Sequence, residues 1–165
     1  MTYWNYSSTW RVTKKNKPLR YDALGTCVAP SMMTVFLYPL AQLQPSQLYI
    51  SEAKLAYVLS WWQPPTLETL EPIPIKRLND RVIYTDGHTR AFAAYQLGFS
   101  EVPVVWDEDE LDWEAYQICV DWCLDVGIRT VADLEGRVIP PEQYEVLWHD
   151  RCRVMQDELA LQRDR

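Results

Sequence analysis

Between residues 51 and 62 the apolar side chains recur at the spacing of one helix face. Leu55, Val58, Leu59 and Trp62 fall at i, i+3, i+4 and i+7, Ser51 stands where a cap is needed, and Pro64-Pro65 ends the run. Upstream, Thr34–Leu40 is rich in strand formers, and Pro39 pushes it to the edge or end of a sheet. Ile73–Leu78 and Arg81–Thr85 run apolar on either side of Asn79-Asp80, which predicts a two-residue hairpin. Asp86 or Gly87 opens a helix that stops at Gly98, and Val102–Trp106 predicts another strand.

After the acidic run 107–110 the period becomes helical throughout. Asp112 starts a helix whose buried side is predicted as Trp113, Tyr116, Val120, Cys123 and Leu124, with Gly127 as its stop. Thr130–Arg137 reads as a short helical turn. Pro140-Pro141 then opens a last helix, with Tyr144, Trp148, Cys152, Met155 and Leu159 on its apolar face. The first thirty residues read as a polar arm: Ser8–Thr13 as a strand, Lys14–Pro18 as a turn, Arg20–Leu24 as its return. The expected organisation is an α+β fold. An N-terminal arm (1–29) precedes a small mixed sheet with packed helices (30–106), and an acidic helical extension (107–165) follows.

Charge sharpens this division. Arg11, Lys14, Lys15, Lys17 and Arg20 against Asp22 leave residues 1–26 at +4, residues 27–106 are near neutral at −1, and residues 107–165 reach −10. An acidic helical half repels nucleic acid, because affinity for phosphate backbones comes from Lys and Arg. The basic strip at 11–20 is the one part suited to touch an anion or a duplex, but such a strip is more often a solvated hairpin. At 165 residues, 48% hydrophobic and 24% charged, the composition is that of a folded globular domain. The longest apolar stretch, Met32–Leu43, is broken by Pro39 and Gln42 and falls short of the ~20 residues a membrane span requires. No basic-then-apolar leader opens the chain, so a cytoplasmic location is expected.

The chemistry concentrates in Tyr84–Gly98, a strand, a glycine turn, a helix and a glycine stop. The free N–H groups of a helix's first turn, its positive dipole end and an arginine one turn in suit a phosphate. Read from residues alone, Gly87 and Arg90 mark either an anion site or an ordinary capped helix.

The segment Gly87-His88-Thr89-Arg90-Ala91-Phe92-Ala93, continued by Ala94, Leu97 and Gly98, resembles the Gly-x-x-Arg-x-x-Ala box of the ParB/sulfiredoxin superfamily. Upstream, Leu43-Gln44-Pro45-Ser46-Gln47-Leu48, the helix at 51–62 and Pro72-Ile73-Pro74-Ile75 follow the order of a ParB N-terminal domain, and Val102-Pro103-Val104 trails the box. The resemblance covers residues 35–106. It implies a nucleotide, ATP or CTP with Mg2+, whose phosphates Gly87, His88, Thr89 and Arg90 would line. Lys54 stands where sulfiredoxins place a lysine near the nucleotide, while Tyr57 and Trp61 depart from small hydroxyl residues there and are read mainly as core.

Two departures narrow the function. His88 replaces the box thiol, which removes sulfiredoxin chemistry because a sulfur must attack the phosphorylated sulfinate. No helix-turn-helix module follows the box, which disfavours chromosome partitioning. Phosphoryl transfer would need a carboxylate to hold metal or orient a nucleophile. Asp86 and Glu52 are the candidates, with His88 as a proton carrier; as structural residues Asp86 is a helix cap and Glu52 a dipole partner. The readings carried forward are a nucleotide-binding protein with phosphohydrolase or phosphotransferase chemistry, a ParB-like DNA-binding protein or nuclease, and a non-catalytic module whose helical extension binds a protein or a second copy.

Four cysteines in such a chain argue against a disulfide framework. Cys119 and Cys123 with His149 and Cys152 put ligand types on consecutive turns of two helices, yet they also fit apolar faces. Buried thiols are the expectation, and no metal is assigned. The acidic run 107–110 is read as a solvated loop or partner surface.

Overall fold

The computed structural model describes residues 34–165. The arm at 1–29, with its predicted strand and turn, lies outside them. The fold is α+β, built on a five-stranded mixed sheet in the order β1-β6-β4-β5-β2. In chain order β1 is Phe36–Pro39, β2 Leu43–Gln44, β3 Ile50–Ser51, β4 Ile73–Leu78, β5 Arg81–Tyr84, β6 Glu101–Trp106 and β7 Val138–Ile139. Pro39 sits where its missing N–H does least harm, in the edge strand β1, opposite Glu101 of antiparallel β6.

The hairpin β4–β5 forms as its pattern requires. Ile75 lies opposite Tyr84 and Leu78 opposite Arg81, and Asn79 takes the left-handed conformation (φ 54°) that a two-residue turn demands. β6 runs parallel to β4 and β2 parallel to β5. Helix α1, Glu52–Trp61, begins at Ser51 and buries Leu55 and Val58. Trp62 follows it into the core, 1% exposed, its indole N–H on the Thr66 carbonyl and the Thr69 hydroxyl. Helix α2, His88–Gln96, buries Ala91, Phe92, Ala93 and Ala94 against α1 and the sheet. It stops at Gly98 (φ 86°), where the N–H of Phe99 reaches back to the Ala94 carbonyl.

The C-terminal segment contributes α3, Trp113–Asp125, and a 3-10 turn, Val131–Leu134, closed by the Thr130–Asp133 capping box. A last continuous helical stretch consists of α4, Pro141–Tyr144, a π-helical turn, Glu145–Asp150, and α5, Arg151–Arg163. These elements share the sheet's core. Cys119, Cys123, Tyr144, Trp148, Cys152, Met155 and Leu159 are buried in one cluster with Ile73, Ile75, Tyr84 and Phe92. On the other face of the hairpin, Leu78 and Ile83 pack against Leu111, Tyr116 and Val120. A second tie is unanticipated by the pattern: β3, at the start of α1, pairs in parallel with β7, 88 residues on.

Several expectations shift in detail. Trp113, predicted buried, is 38% exposed beneath the Lys76 ammonium, because α3 turns its Ala115–Tyr116–Cys119–Cys123 side inward instead. Tyr57 and Trp61, read mainly as core, are exposed on the outer side of α1. Asp107, read as part of a solvated run, is buried: Thr85 Oγ1 and the Asp109 N–H both donate to its carboxylate. Burial with two donors to a carboxylate is the ordinary way such a group is satisfied inside a protein.

Candidate functional site

The sheet delivers β5 into the turn Thr85-Asp86-Gly87 that opens α2. Three bonds fix this turn. The Thr85 N–H donates to the Pro74 carbonyl at 3.1 Å, Thr85 Oγ1 to Asp107 Oδ2 at 2.6 Å, and the Tyr116 hydroxyl to the Thr85 carbonyl at 2.9 Å. The turn is therefore clamped between β4 and α3 before the helix begins. Gly87 then adopts φ 79°, a left-handed conformation that favours glycine. A Cβ there would also stand 3.0 Å from Arg90 Nη2 and 3.2 Å from Ile73 Cγ2.

Asp86 does not cap the helix. Its carboxylate accepts the adjacent Gly87 N–H at 2.6 Å, and Gly87 itself is the capping residue, without a side-chain bond to the first turn. The first backbone bond of α2 runs from the Ala91 N–H to the Gly87 carbonyl. Among the described residues, the N–H groups of His88, Thr89 and Arg90 thus have neither an intrahelical acceptor nor a side-chain cap, which leaves three donors and the positive helix end for an anion.

The side chains predicted to line phosphates divide. His88 is turned inward, 7% exposed, its ring 5.0 Å from that of Tyr84. Its Nε2 accepts the Ser46 N–H at 3.0 Å, and Ser46 Oγ lies 3.3 Å from the same nitrogen while donating to the Tyr84 carbonyl. Burial pushes the His88 pKa down to about 4, against a smaller upward pull from Asp86. Tyr84 Oη, fully buried beside it, has no hydrogen-bond partner among the described residues. Arg90 lies back over the turn. Its Nη1 donates to the carbonyls of Glu71 (2.8 Å) and Pro72 (3.2 Å) and pairs with Glu71 Oε2 at 3.1 Å. Thr89 is half-buried in the first turn.

Lys54 comes to this turn from α1. Burial lowers its pKa, and the charges of Asp86 and Glu145 oppose that shift, so the ammonium lies within electrostatic reach of both carboxylates. It also stands 5.1 Å from the centre of the Tyr144 ring, a cation–π contact. Glu52 stays exposed in the first turn of α1 and is joined to the α2 turn by no hydrogen bond or ion pair among the described residues.

The structure thus places Asp86, Gly87, Thr89 and Arg90 at one helix end with Lys54 within electrostatic reach, and it brings to Lys54 two residues that sequence reasoning had assigned to no site. Tyr144 was read as a core position and Glu145 not at all. They lie 90 and 91 residues beyond Lys54, a separation that no local pattern signals. Cys119, Cys123 and Cys152 are buried thiols, as expected, while His149 Nδ1 sits 2.6 Å from Glu145 Oε2. Among the described residues no three His, Cys, Asp or Glu side chains converge as a metal site, and no helix is long and apolar enough to cross a membrane.

In comparison with known proteins, the chain matches no family model and no curated protein. Among solved structures it is similar to protein Atu1540 from Agrobacterium tumefaciens, at 14% identity and a TM-score of 0.45, over 61% of this chain and 61% of that one.

Proposed function

We propose that this protein is a ParB/sulfiredoxin-like nucleotide-binding protein that holds the phosphates of ATP or CTP, with Mg2+, at the start of α2. The observation that carries this reading is the uncapped first turn behind Gly87, with three backbone N–H groups open and the Lys54 ammonium within electrostatic reach of Asp86. In this reading Lys54 supplies the mobile positive charge, Thr89 a hydroxyl, and Asp86 a carboxylate for the metal that a nucleotide brings. His88, turned to Ser46, acts by fixing the turn. Arg90 reaches phosphate only by leaving the Glu71 and Pro72 carbonyls, so binding and a shift of the 71–72 loop go together. Calorimetric titration with ATP, ADP, CTP and GTP, each with and without Mg2+, tests this. A micromolar response that Lys54→Ala and Arg90→Ala both remove supports the site; silence in folded protein removes it.

A second reading rests on the last helix. Leu147, Val154 and Leu161 stand 42%, 57% and 64% exposed at seven-residue intervals, the spacing of a helical seam. Under this reading the helical extension binds a second copy or another protein, and a nucleotide-independent dimer in light scattering is the expected sign.

A further inference from the structure

Away from the α2 turn, a cleft of about 410 Å³ opens at the far end of the sheet. Its walls carry Arg77, Arg81 and Arg129, together with Tyr38, Gln44 and Thr130, and Asp80 is the one acidic residue among them. Three arginines thus line one cleft in a chain whose net charge is −7, with Asp80 on its wall and the Asp133 carboxylate beside Arg129. None of the three has a carboxylate within ion-pair distance among the described residues, whereas Arg90, Arg153 and Arg163 all do. Like charges assembled in a concave surface repel one another unless an anion joins them.

The cleft is built by separate parts of the chain. Arg77 and Arg81 flank the tight Asn79-Asp80 turn of the β4–β5 hairpin, whose register fixes both. Arg129 is held at its backbone: its N–H and that of Thr130 donate to Asp133 Oδ2 at 2.9 and 2.8 Å. Gln44, 3% exposed, has its amide nitrogen on the carbonyls of Pro45 and Ile128, both at 2.9 Å. Its oxygen is thereby left facing Arg81 Nη1 at 3.5 Å. The backbone positions of the three arginines, and the Gln44 oxygen that faces Arg81, are thus set before any ligand arrives, which lowers part of the ordering cost of binding.

We infer that the Arg77–Arg81–Arg129 cleft is a binding site for a small phosphate-bearing anion, separate from the α2 turn. The volume falls in the range of about 300–1,000 Å³ common to small-molecule sites and is too small for a duplex. Planar guanidinium forks match phosphoryl oxygens, and a phosphoryl group presents oxygens to more than one arginine at once where a carboxylate presents only two. Tyr38 and Thr130 add hydroxyl groups for the uncharged part of the ligand.

The test is a titration of the full chain with inorganic pyrophosphate, read by amide and arginine Nε–H NMR shifts, so that the two sites report separately. The expected result is saturable shifts at Arg77, Arg81, Arg129 and Thr130, with half-saturation below about 1 mM. These weaken at least about tenfold in Arg81→Gln and Arg129→Gln and persist in Arg90→Ala. Shifts confined to Thr89 and Arg90 would support the α2 reading and overturn this one. No cleft shifts at all, cleft shifts that survive both glutamine variants, or tighter binding of citrate than of pyrophosphate would each overturn it. So would duplex DNA moving these resonances when pyrophosphate does not.

Discussion

His88 Nε2 accepts the backbone N–H of Ser46 at 3.0 Å, and that bond requires the nitrogen to be unprotonated. Burial disfavours the charged imidazolium, which is why the His88 pKa falls to about 4, and protonation would also set one N–H against another. In the unfolded chain the same imidazole titrates near 6.5. Between those values the unfolded state binds the additional proton, so stability rises with pH across the window and is lost as pH falls through it. The expected loss from this one group is about 2 kcal/mol between pH 7.5 and pH 5. Urea unfolding at the two pH values measures it. His88→Gln should flatten the difference, and a variant that keeps the wild-type pH dependence would assign it to other groups.

Gly87 and Gly98 share a left-handed backbone but not their surroundings. A Cβ at Gly98 meets nothing within 4 Å, whereas at Gly87 it meets Ile73 and the Arg90 guanidinium. Gly98→Ala should therefore cost only the conformational strain, about 1 kcal/mol. Gly87→Ala adds contact with a fully buried isoleucine that cannot move aside, and the total should reach about 2–3 kcal/mol. Denaturation at pH 7.5, where His88 is neutral in both states, isolates this difference. Equal costs for the two variants would mean that the turn relaxes freely.

Those two residues mark how far the sequence could be read. The helix over 52–61 was legible because Leu55, Val58, Leu59 and Trp62 repeat at helical spacing, the helix over 88–96 because Gly87 and Gly98 bracket it, and Asn79-Asp80 declares its own turn. The α+β class followed from that order. The pairing of β3 with β7 did not, since two-residue strands carry no period and their partner lies 88 residues away. Asp107 misled because its burial depends on Thr85, a residue 22 positions earlier. At the candidate site, Asp86, Gly87 and Arg90 were visible as local chemistry, and Lys54 only through the resemblance. Tyr144, Glu145 and the arginine cleft were not, because each is assembled by tertiary packing from separate elements.

Arg90 binds two carbonyls and one carboxylate, and the two kinds of contact have different weights. Glu71 is largely exposed, with a side chain 78% accessible, so its ion pair with Arg90 is screened. Glu71→Ala should change stability by less than about 1 kcal/mol. Arg90→Ala leaves the Glu71 and Pro72 carbonyls without their donor and removes the stem packed over Gly87, for an expected loss of about 1–3 kcal/mol. Thermal unfolding of both variants provides the comparison. A Glu71→Ala loss as large as that of Arg90→Ala would place the stabilisation in the ion pair after all.

The buried thiols give a prediction that needs no ligand. Cys119, Cys123 and Cys152 all lie in the core, between 0% and 7% exposed. The Cys119 pKa is raised by its hydrogen bond to Cys152 and by burial, and burial pushes Cys123 up to about 12. Thiolate is the reactive form, so at pH 8 neither of these two sulfurs has the charge or the access to react quickly. Cys27 lies outside the described residues and is removed in the test as Cys27→Ser. Native Cys27→Ser protein at pH 8 should then show no fast reaction with an aromatic disulfide reagent, and three equivalents should react once guanidinium unfolds it. Labelling should follow global opening, so its rate should rise with urea in step with unfolding. A thiol that reacts quickly in the native state would show that the α3–α5 packing around Cys152 opens separately from the sheet.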